Sequence, residues 1–106
     1  MTDSVVVLCT CANDGEASRI AEALVEERLA ACVNLLPPVR SIYRWQGNIE
    51  KGLEVLLLIK TNQNRLDDVC RRIRGLHSYD TPEVIALPVA SGLEKYLTWL
   101  GEQVSD

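Results

Sequence analysis

The segment from Ala31 to Thr61 restricts the fold more than any other part of the chain, because it predicts a hairpin too long for a domain of this size. From Ala31 to Trp45, polar and apolar residues alternate, which is typical of a strand with one buried face. Fully extended, that strand would span about 50 Å at about 3.3 Å per residue. A compact chain of 106 residues has a diameter of only about 33 Å. The hairpin is therefore expected to project beyond the rest of the molecule.

Two features shape this hairpin. Pro37-Pro38 removes two backbone donors, so a bend or bulge must divide the first strand there. Gly47-Asn48 provides a turn, and Ile49 to Thr61 returns as a second strand whose apolar centre is expected to be buried on both faces. The period of two places one set of first-strand side chains on a common face: Val33, Leu35, Val39, Tyr43 and Trp45.

The projecting arm carries aromatic residues that its own chain has no means of covering. Tyr43 and Trp45 lie near its tip, and exposed aromatic strands with open edges tend to pair with another chain. We therefore expect a homo-oligomer in which the arm extends the sheet of a neighbour.

The remaining elements follow from local signals. Val5 to Ala12 is a β-branched apolar run that predicts a buried strand, and Asn13 with Glu16 predicts a capping box at the start of a helix ending near Leu29. A second helix has apolar residues at i, i+3, i+4 and i+7, namely Leu66, Val69, Cys70 and Ile73. It is expected to end with Gly75 as its C′ residue.

The chain is expected to finish with one more strand and one more helix. Glu83 to Ala90 predicts the strand, and Ser91 with Glu94 predicts a capping box for a closing helix. The order strand, helix, strand, strand, helix, strand indicates an α+β, ferredoxin-like βαββαβ sandwich with an extended β-hairpin and an extra C-terminal helix. Residues 1–106 are expected to form one domain, with the helices on one face of an antiparallel sheet.

Charge and composition exclude several classes of protein. The formal net charge of −4 opposes nucleic-acid binding, and the one basic cluster, Arg71 to Arg74, lies where cations complement a helix C-terminus. The N-terminal apolar run lacks a basic leader and is far shorter than the roughly 20 residues that cross a bilayer. We expect a cytoplasmic protein without membrane contacts, whose four cysteines are thiols.

Two short stretches contain candidate ligands for a metal. Cys9-Thr10-Cys11 places two sulfurs on one face of a strand, and thiolates suit Cu(I), although buried free cysteine also packs as a small apolar residue. His77, the one histidine, lies just past a helix end, where it could interact with free carbonyls or bind copper or zinc. Acid/base chemistry with Asp80 or Glu83 is the weakest alternative, because no nucleophile or cofactor motif accompanies it.

Five stretches, read in order along the chain, together resemble the CutA divalent-cation tolerance family. They are ACVN (31–34), SIYRWQGNI (41–49), LLLIKT (56–61), HSYDTPEV (77–84) and YLTWL (96–100). The resemblance implies a compact homotrimer similar to the PII signalling proteins, copper binding and a role in tolerance to divalent cations. We expect no catalytic activity, because the sequence has no nucleophile, phosphate-loop or cofactor motif, and the expected partners are further copies of the chain and a metal ion.

The resemblance also implies particular residues. Copper would be bound by Cys9 and His77, and the position before the histidine, where relatives have another histidine, is Leu76 here. Two ligands per protomer cannot complete a tetrahedral site alone. Four further residues are implied in clefts between subunits, either binding a small effector or forming a salt bridge with aromatic packing: Trp45, Lys60, Tyr79 and Glu83. A third possible role is that of a structural trimer that anchors another protein.

Overall fold

The computed structural model describes residues 1–105 and contains five strands and three α-helices. The strands are β1 (Ser4–Cys11), β2 (Cys32–Leu35), β3 (Val39–Trp45), β4 (Asn48–Asn62) and β5 (Ile85–Pro88). The helices are α1 (Asp14–Glu26), α2 (Leu66–Leu76), which follows a single 3-10 turn (Gln63–Arg65), and α3 (Glu94–Gln103). None of the helices described within residues 1–105 is long and apolar enough to cross a membrane.

The strands form an antiparallel sheet in the order β2-β4-β1-β5, and β3 pairs with the outer half of β4. This is the predicted α+β, ferredoxin-like arrangement with its extra helix at the C-terminus. Helices α1 and α2 cover one face of the sheet, whereas α3 places the ring of Tyr96 5.8 Å from Nζ of Lys60, a residue directed to the other face. The prediction that the helices share one face is therefore right for α1 and α2 only.

The core lies between that first face and the two helices. Alternate residues of β1 and β4 point into it, because successive side chains of a strand point to opposite sides. The largest fully buried side chains include Val7, Leu24, Leu57, Ile59 and Ile73. Each such side chain contributes about 1.5–3 kcal/mol by leaving water, so this half of the molecule is stabilised within one chain.

A bulge at Pro37-Pro38 divides the long first strand, as predicted. Leu35 pairs with Leu57, and Val39 pairs with Glu54, so four residues on one side of the ladder correspond to three on the other. One extra residue in a strand reverses the faces to which its later side chains point.

The reversal changes where the aromatic residues lie. Val33 pairs with Ile59 and packs against the core, but Tyr43 pairs with Glu50 and, like Trp45, points to the opposite face. The prediction of one shared face is therefore wrong beyond the prolines. The residues that it grouped fall into two sets, Val33 and Leu35 on the helix side and Val39, Tyr43 and Trp45 on the other.

The predicted projection of the hairpin is confirmed. The molecule measures 44 × 25 × 23 Å, which is longer in one direction than a compact chain of this length. The outer parts of β3 and β4 carry large apolar side chains that remain about half exposed or more, namely Ile42, Tyr43, Trp45, Ile49 and Leu53.

The start of α1 agrees with the predicted cap, but its end does not. Oδ1 of Asn13 accepts a hydrogen bond from the Glu16 N–H at 2.9 Å, so Asn13 is the N-cap. The helix stops at Glu26 rather than near Leu29, because Arg28 has a φ of 59° and the next amides turn back to the Leu24 carbonyl.

Three other elements also begin or end differently from the predictions. Helix α2 continues through Gly75 to Leu76, so the glycine is helical and not a C′ residue. Helix α3 begins after Leu93 with no side-chain cap, so the capping box of Ser91 and Glu94 is wrong. The last strand is also shorter than predicted, since it covers Ile85–Pro88 alone.

Candidate metal centre and the adjoining pocket

The thiols of Cys9 and Cys11 lie in the core, on the face of β1 that α1 and α2 cover. Both residues are completely buried, because their spacing of two directs both side chains to the same side. The imidazole of His77 lies beside them, and the candidate ligand atoms of the three residues lie within 4.8 Å of one another. The structure thus brings together two sulfurs and one imidazole whose proximity the sequence did not predict.

His77 ends α2 and at the same time contacts β1. Its backbone N–H donates to the Ile73 carbonyl at 2.8 Å, which completes the last turn of the helix. Its side-chain Nε2 lies 2.7 Å from the Thr10 carbonyl, and its Nδ1 lies 3.0 Å from the Tyr79 amide nitrogen. A carbonyl requires a donor and an amide N–H requires an acceptor, so these contacts fit the neutral imidazole with its proton on Nε2.

Glu16 is a buried carboxylate that connects the start of α1 to the loop after α2. Its Oε1 accepts a hydrogen bond from the Ser78 N–H at 2.6 Å, and its Oε2 accepts from Oγ of Ser78 at 2.9 Å and from the Ala12 N–H at 3.4 Å. Its Oε1 also lies 3.2 Å from Nδ1 of His77. The capping box predicted a bond from the Asn13 N–H to the Glu16 carboxylate. In the structure, this carboxylate accepts from Ala12 and Ser78 instead.

The ionisation of Glu16 follows from these contacts. Burial raises the pKa of its carboxyl group, but the hydrogen bonds from Ser78 and Ala12 outweigh burial, and the pKa lies below its usual value of 4.5. Glu16 therefore carries a charge that the surrounding donors stabilise. Sequence reasoning identified Glu16 only as a helix cap, because its partners in the loop lie about 60 positions away.

The two thiols differ in acidity. Hydrogen bonding to Cys11, together with burial, raises the pKa of Cys9, and the same hydrogen bond lowers the pKa of Cys11. Thiolate is the form that binds metals. Copper would therefore displace a proton from Cys9, and its affinity would rise with pH.

The chemistry of this cluster fits a soft metal ion. Two thiolates and an imidazole are ligands that Cu(I) accepts, and a site with three donors can bind Cu(I) where Zn²⁺ would need a fourth ligand. Both ring nitrogens of His77 already have hydrogen-bond partners. The two sulfurs are therefore the primary candidate ligands, and His77 would join them after releasing the Tyr79 N–H.

A pocket lies on the other face of the sheet, at the base of the hairpin. It has a volume of about 580 Å³ and includes three of the four residues expected in a cleft between subunits, Trp45, Tyr79 and Glu83. The fourth, Lys60, lies six residues further along β4 than Glu54, about 20 Å away, and contacts Tyr96 instead. Whether a neighbouring subunit brings a lysine to this pocket stays a prediction.

Tyr79 connects this pocket to the buried cluster. Its hydroxyl donates to Oε2 of Glu54 at 2.9 Å, and its ring centroid lies 4.7 Å from that of His77. Partial burial and the hydrogen bond to the Glu54 carboxylate raise the pKa of the Tyr79 hydroxyl. Sequence reasoning missed Glu54, because its partner Tyr79 lies 25 positions away in the sequence.

Sequence comparison establishes the family. The model of the CutA1 divalent ion tolerance protein matches residues 5–103. This chain belongs to the CutA1 family. The resemblance that the five short motifs indicated is thereby confirmed over nearly the whole sequence.

Individual CutA proteins support this assignment. The divalent-cation tolerance protein CutA of Thermus thermophilus is 50% identical over 97 residues, which cover 92% of this chain and 94% of the relative. Protein CutA, chloroplastic, of Arabidopsis thaliana is 44% identical over 97 residues, 92% of this chain and 53% of the relative. The crystal structure of CutA from Xylella fastidiosa superimposes with a TM-score of 0.96 at 44% identity and covers 98% of this chain and 100% of that one.

Proposed function

We propose that this CutA1 protein binds copper through the buried cluster of Cys9, Cys11 and His77, and that it acts in divalent-cation tolerance by sequestering or sensing the metal. The observation that supports this proposal is the convergence of two thiols and an imidazole within 4.8 Å. Because the cluster is fully buried, the site would favour a small, partly dehydrated ion such as Cu(I), which soft ligands hold without bound water.

We also propose that the working form is a homotrimer. The sheet face opposite α1 and α2 is apolar but only partly covered, since Ile85 and Leu87 are 51% and 47% exposed. The aromatic arm extends from the same sheet. A second copy of the chain would cover both regions, and burial of this surface would favour association.

A non-catalytic role agrees with how the polar residues are used. Glu16 and His77, the pair best suited to acid/base work, are buried and bonded to backbone groups of the protein itself. A cytoplasmic location agrees with four free thiols. We therefore propose that the protein is not an enzyme and that it works in the cytoplasm.

In the alternative role, a PII-like trimer would bind a small effector in the pocket at the base of the hairpin. An anionic or nucleotide-like ligand is disfavoured there, because the lining includes the carboxylates of Glu54, Asp80 and Glu83 and like charges repel. Structural anchoring of another protein remains a third possible role and would require a surface beyond those used in the trimer.

A copper titration of the reduced protein tests the metal proposal. Cu(I) would be added without oxygen in competition with a chromophoric Cu(I) chelator. We expect wild type to bind copper tightly, and both Cys9→Ser/Cys11→Ser and Cys9→Ser/His77→Ala to lose most of that affinity. Cys70→Ser, which removes a half-buried thiol on α2, is the matched control. Identical binding by wild type and Cys9→Ser/His77→Ala would show that the ligands are wrong.

Sedimentation tests the assembly separately. We expect a trimeric mass at micromolar protein concentration, with or without copper. A monomeric mass under those conditions would contradict the trimer and leave the copper site to be judged on the titration alone.

A further inference from the structure

We propose that Glu16 is a positioning residue of the copper site: its carboxylate accepts the Nδ1–H of His77 when Nε2 of the same ring is the metal ligand. This inference rests on the copper site proposed above and adds to it one residue and one choice of nitrogen. The side chains of His77 and Glu16 lie in the helix-covered core and are 0% and 3% exposed. The arrangement therefore needs no residue from a neighbouring copy.

The two ring nitrogens of His77 have different surroundings. Nε2 lies 2.7 Å from the Thr10 carbonyl oxygen, and Sγ of Cys9 lies 3.9 Å from that same oxygen. Nδ1 faces the loop after α2 instead, 3.0 Å from the Tyr79 amide nitrogen and 3.2 Å from Oε1 of Glu16. Nε2 is therefore the nitrogen on the side of the sulfurs.

Binding through Nε2 requires the other tautomer of the ring. The contacts of His77 fit a proton on Nε2, donated to the Thr10 carbonyl, and a lone pair on Nδ1 that accepts from the Tyr79 N–H. A metal binds the lone pair of a neutral imidazole nitrogen, so the proton has to leave Nε2, and the neutral ring then carries it on Nδ1. In that form Nδ1 cannot accept from Tyr79 and needs an acceptor of its own.

Oε1 of Glu16 is the acceptor within reach. Without a proton on Nδ1, two acceptors face each other at 3.2 Å, a contact that only the Nδ1–H tautomer turns into a hydrogen bond. The carboxylate is already held in place, because Ser78 and the Ala12 N–H donate to it. Metal-binding histidines almost always donate their other N–H to a carboxylate, a backbone carbonyl or water, which fixes the tautomer and the orientation of the ring.

Ring ¹⁵N NMR tests the choice of nitrogen, because His77 is the one histidine of the chain. The assembled, reduced protein would be labelled with ¹⁵N-histidine and its spectra recorded without oxygen, before and after addition of Cu(I). We expect the ring proton on Nε2 in the copper-free protein and on Nδ1 in the copper-loaded protein. This measurement uses wild type and does not depend on any variant folding.

Variants test the carboxylate. Glu16→Gln retains the shape of the side chain but removes its charge, and Cu(I) affinity should fall about tenfold, the smaller end of the losses that follow when a partner of a metal-binding histidine is altered. Ser78→Ala removes a hydroxyl that donates to Oε2 but retains the Glu16 carboxylate, and should leave affinity unchanged. Glu22→Gln, on the exposed side of α1, makes the same change of net charge away from the site and should also leave it unchanged. Competition with a chromophoric Cu(I) chelator measures all three.

Two results would overturn this inference and leave the copper site intact: Cu(I) binding with the ring proton still on Nε2, and equal Cu(I) affinity of wild type and Glu16→Gln. Equal losses for Glu16→Gln and Ser78→Ala would show that Glu16 only fastens the loop, and an equal loss for Glu22→Gln would show a general effect of net charge. Failure of wild type to bind Cu(I) would overturn the copper site together with this inference.

Discussion

The two faces of the β1-β4 sheet are built from similar apolar residues but reach different degrees of burial. On the face under α1 and α2, Leu57 and Ile59 are completely buried. On the other face their strand neighbour Leu58 is only partly buried, and Leu87 on β5 is 47% exposed. The first face is completed by its own chain, whereas the second is suited to completion by another molecule.

The two candidate sites show the same difference. The thiol cluster lies on the completed face, where both sulfurs are fully buried and both ring nitrogens of His77 have hydrogen-bond partners. The pocket lies on the incomplete face and combines exposed aromatic rings with carboxylates. An ion bound between the sulfurs would be shielded from water, whereas the aromatic rings of the pocket stay open to solvent.

The largest expected effect is on folding stability, and it separates the helix-covered core of the sheet from the projecting arm. Leu57→Ala removes a fully buried side chain and should lower the free energy of unfolding by about 3–4 kcal/mol, through lost burial and the cavity left behind. Leu53→Ala removes a side chain that is 65% exposed on the arm and should change the stability of the fold by less than about 1 kcal/mol. Urea unfolding at one fixed protein concentration measures both.

The arm variant should act on association instead. If other copies cover Leu53, Leu53→Ala shifts the trimer towards smaller species in sedimentation, while Leu57→Ala retains the trimer below its unfolding midpoint. Equal losses of stability with unchanged mass would indicate that the arm packs within its own protomer and would remove the distinction between the core and the arm.

The elements of the completed face could be predicted from the sequence, because local rules determine them. The apolar run of β1, the spacing of Val69 and Ile73 in α2 and the Asn13 cap all depend on neighbours a few positions away. The faces of the hairpin could not be predicted. Pro37-Pro38 indicated a bulge, but only the register across β4 shows that it inserts one residue and so reverses β3.

The candidate sites show the same limit. Cys9 and His77 were identified from type, position and family motif, but their proximity depends on how α2 ends against β1. Glu16 and Glu54 were missed as site residues because their partners, Ser78 and Tyr79, are distant in sequence. Long-range hydrogen bonds of this kind have no periodic signal in a single sequence.

Within the buried cluster, the next largest effect should come from Glu16→Ala. It removes the buried carboxylate that accepts hydrogen bonds from the Ser78 N–H, the Ser78 hydroxyl and the Ala12 N–H, and the loss of hydrogen bonds to a charged group costs about 1.5–3 kcal/mol. Glu22→Ala on the exposed side of the same helix should cost less than about 0.5 kcal/mol. Urea unfolding at pH 7 compares the two, and equal values would mean that the hydrogen bonds from Ser78 and Ala12 to Glu16 contribute nothing to stability.

Acid should weaken the same contact. Because the pKa of Glu16 is lower in the folded state than its usual 4.5, its contribution to stability is fully present above that pH and is lost as the pH falls through the folded-state value. Unfolding measured between pH 7 and pH 3 should therefore show a smaller loss for Glu16→Gln than for wild type. Parallel curves would assign the acid sensitivity to other carboxylates.

On the incomplete face, the expected effects are the smallest, and Tyr79→Phe is the clearest example. It removes the hydroxyl that donates to Glu54 but retains the ring that packs against His77. Since Tyr79 is 38% exposed, water replaces much of this bond, and the cost should be about 0.5 kcal/mol. The bond is better detected by titration, because Glu54→Gln should lower the pKa of Tyr79 towards its usual value of 10.0, whereas Glu50→Gln should not. An unchanged Tyr79 titration in Glu54→Gln would show that the loop and the hairpin are not joined there, and the pocket would then lack the wall that Tyr79 provides.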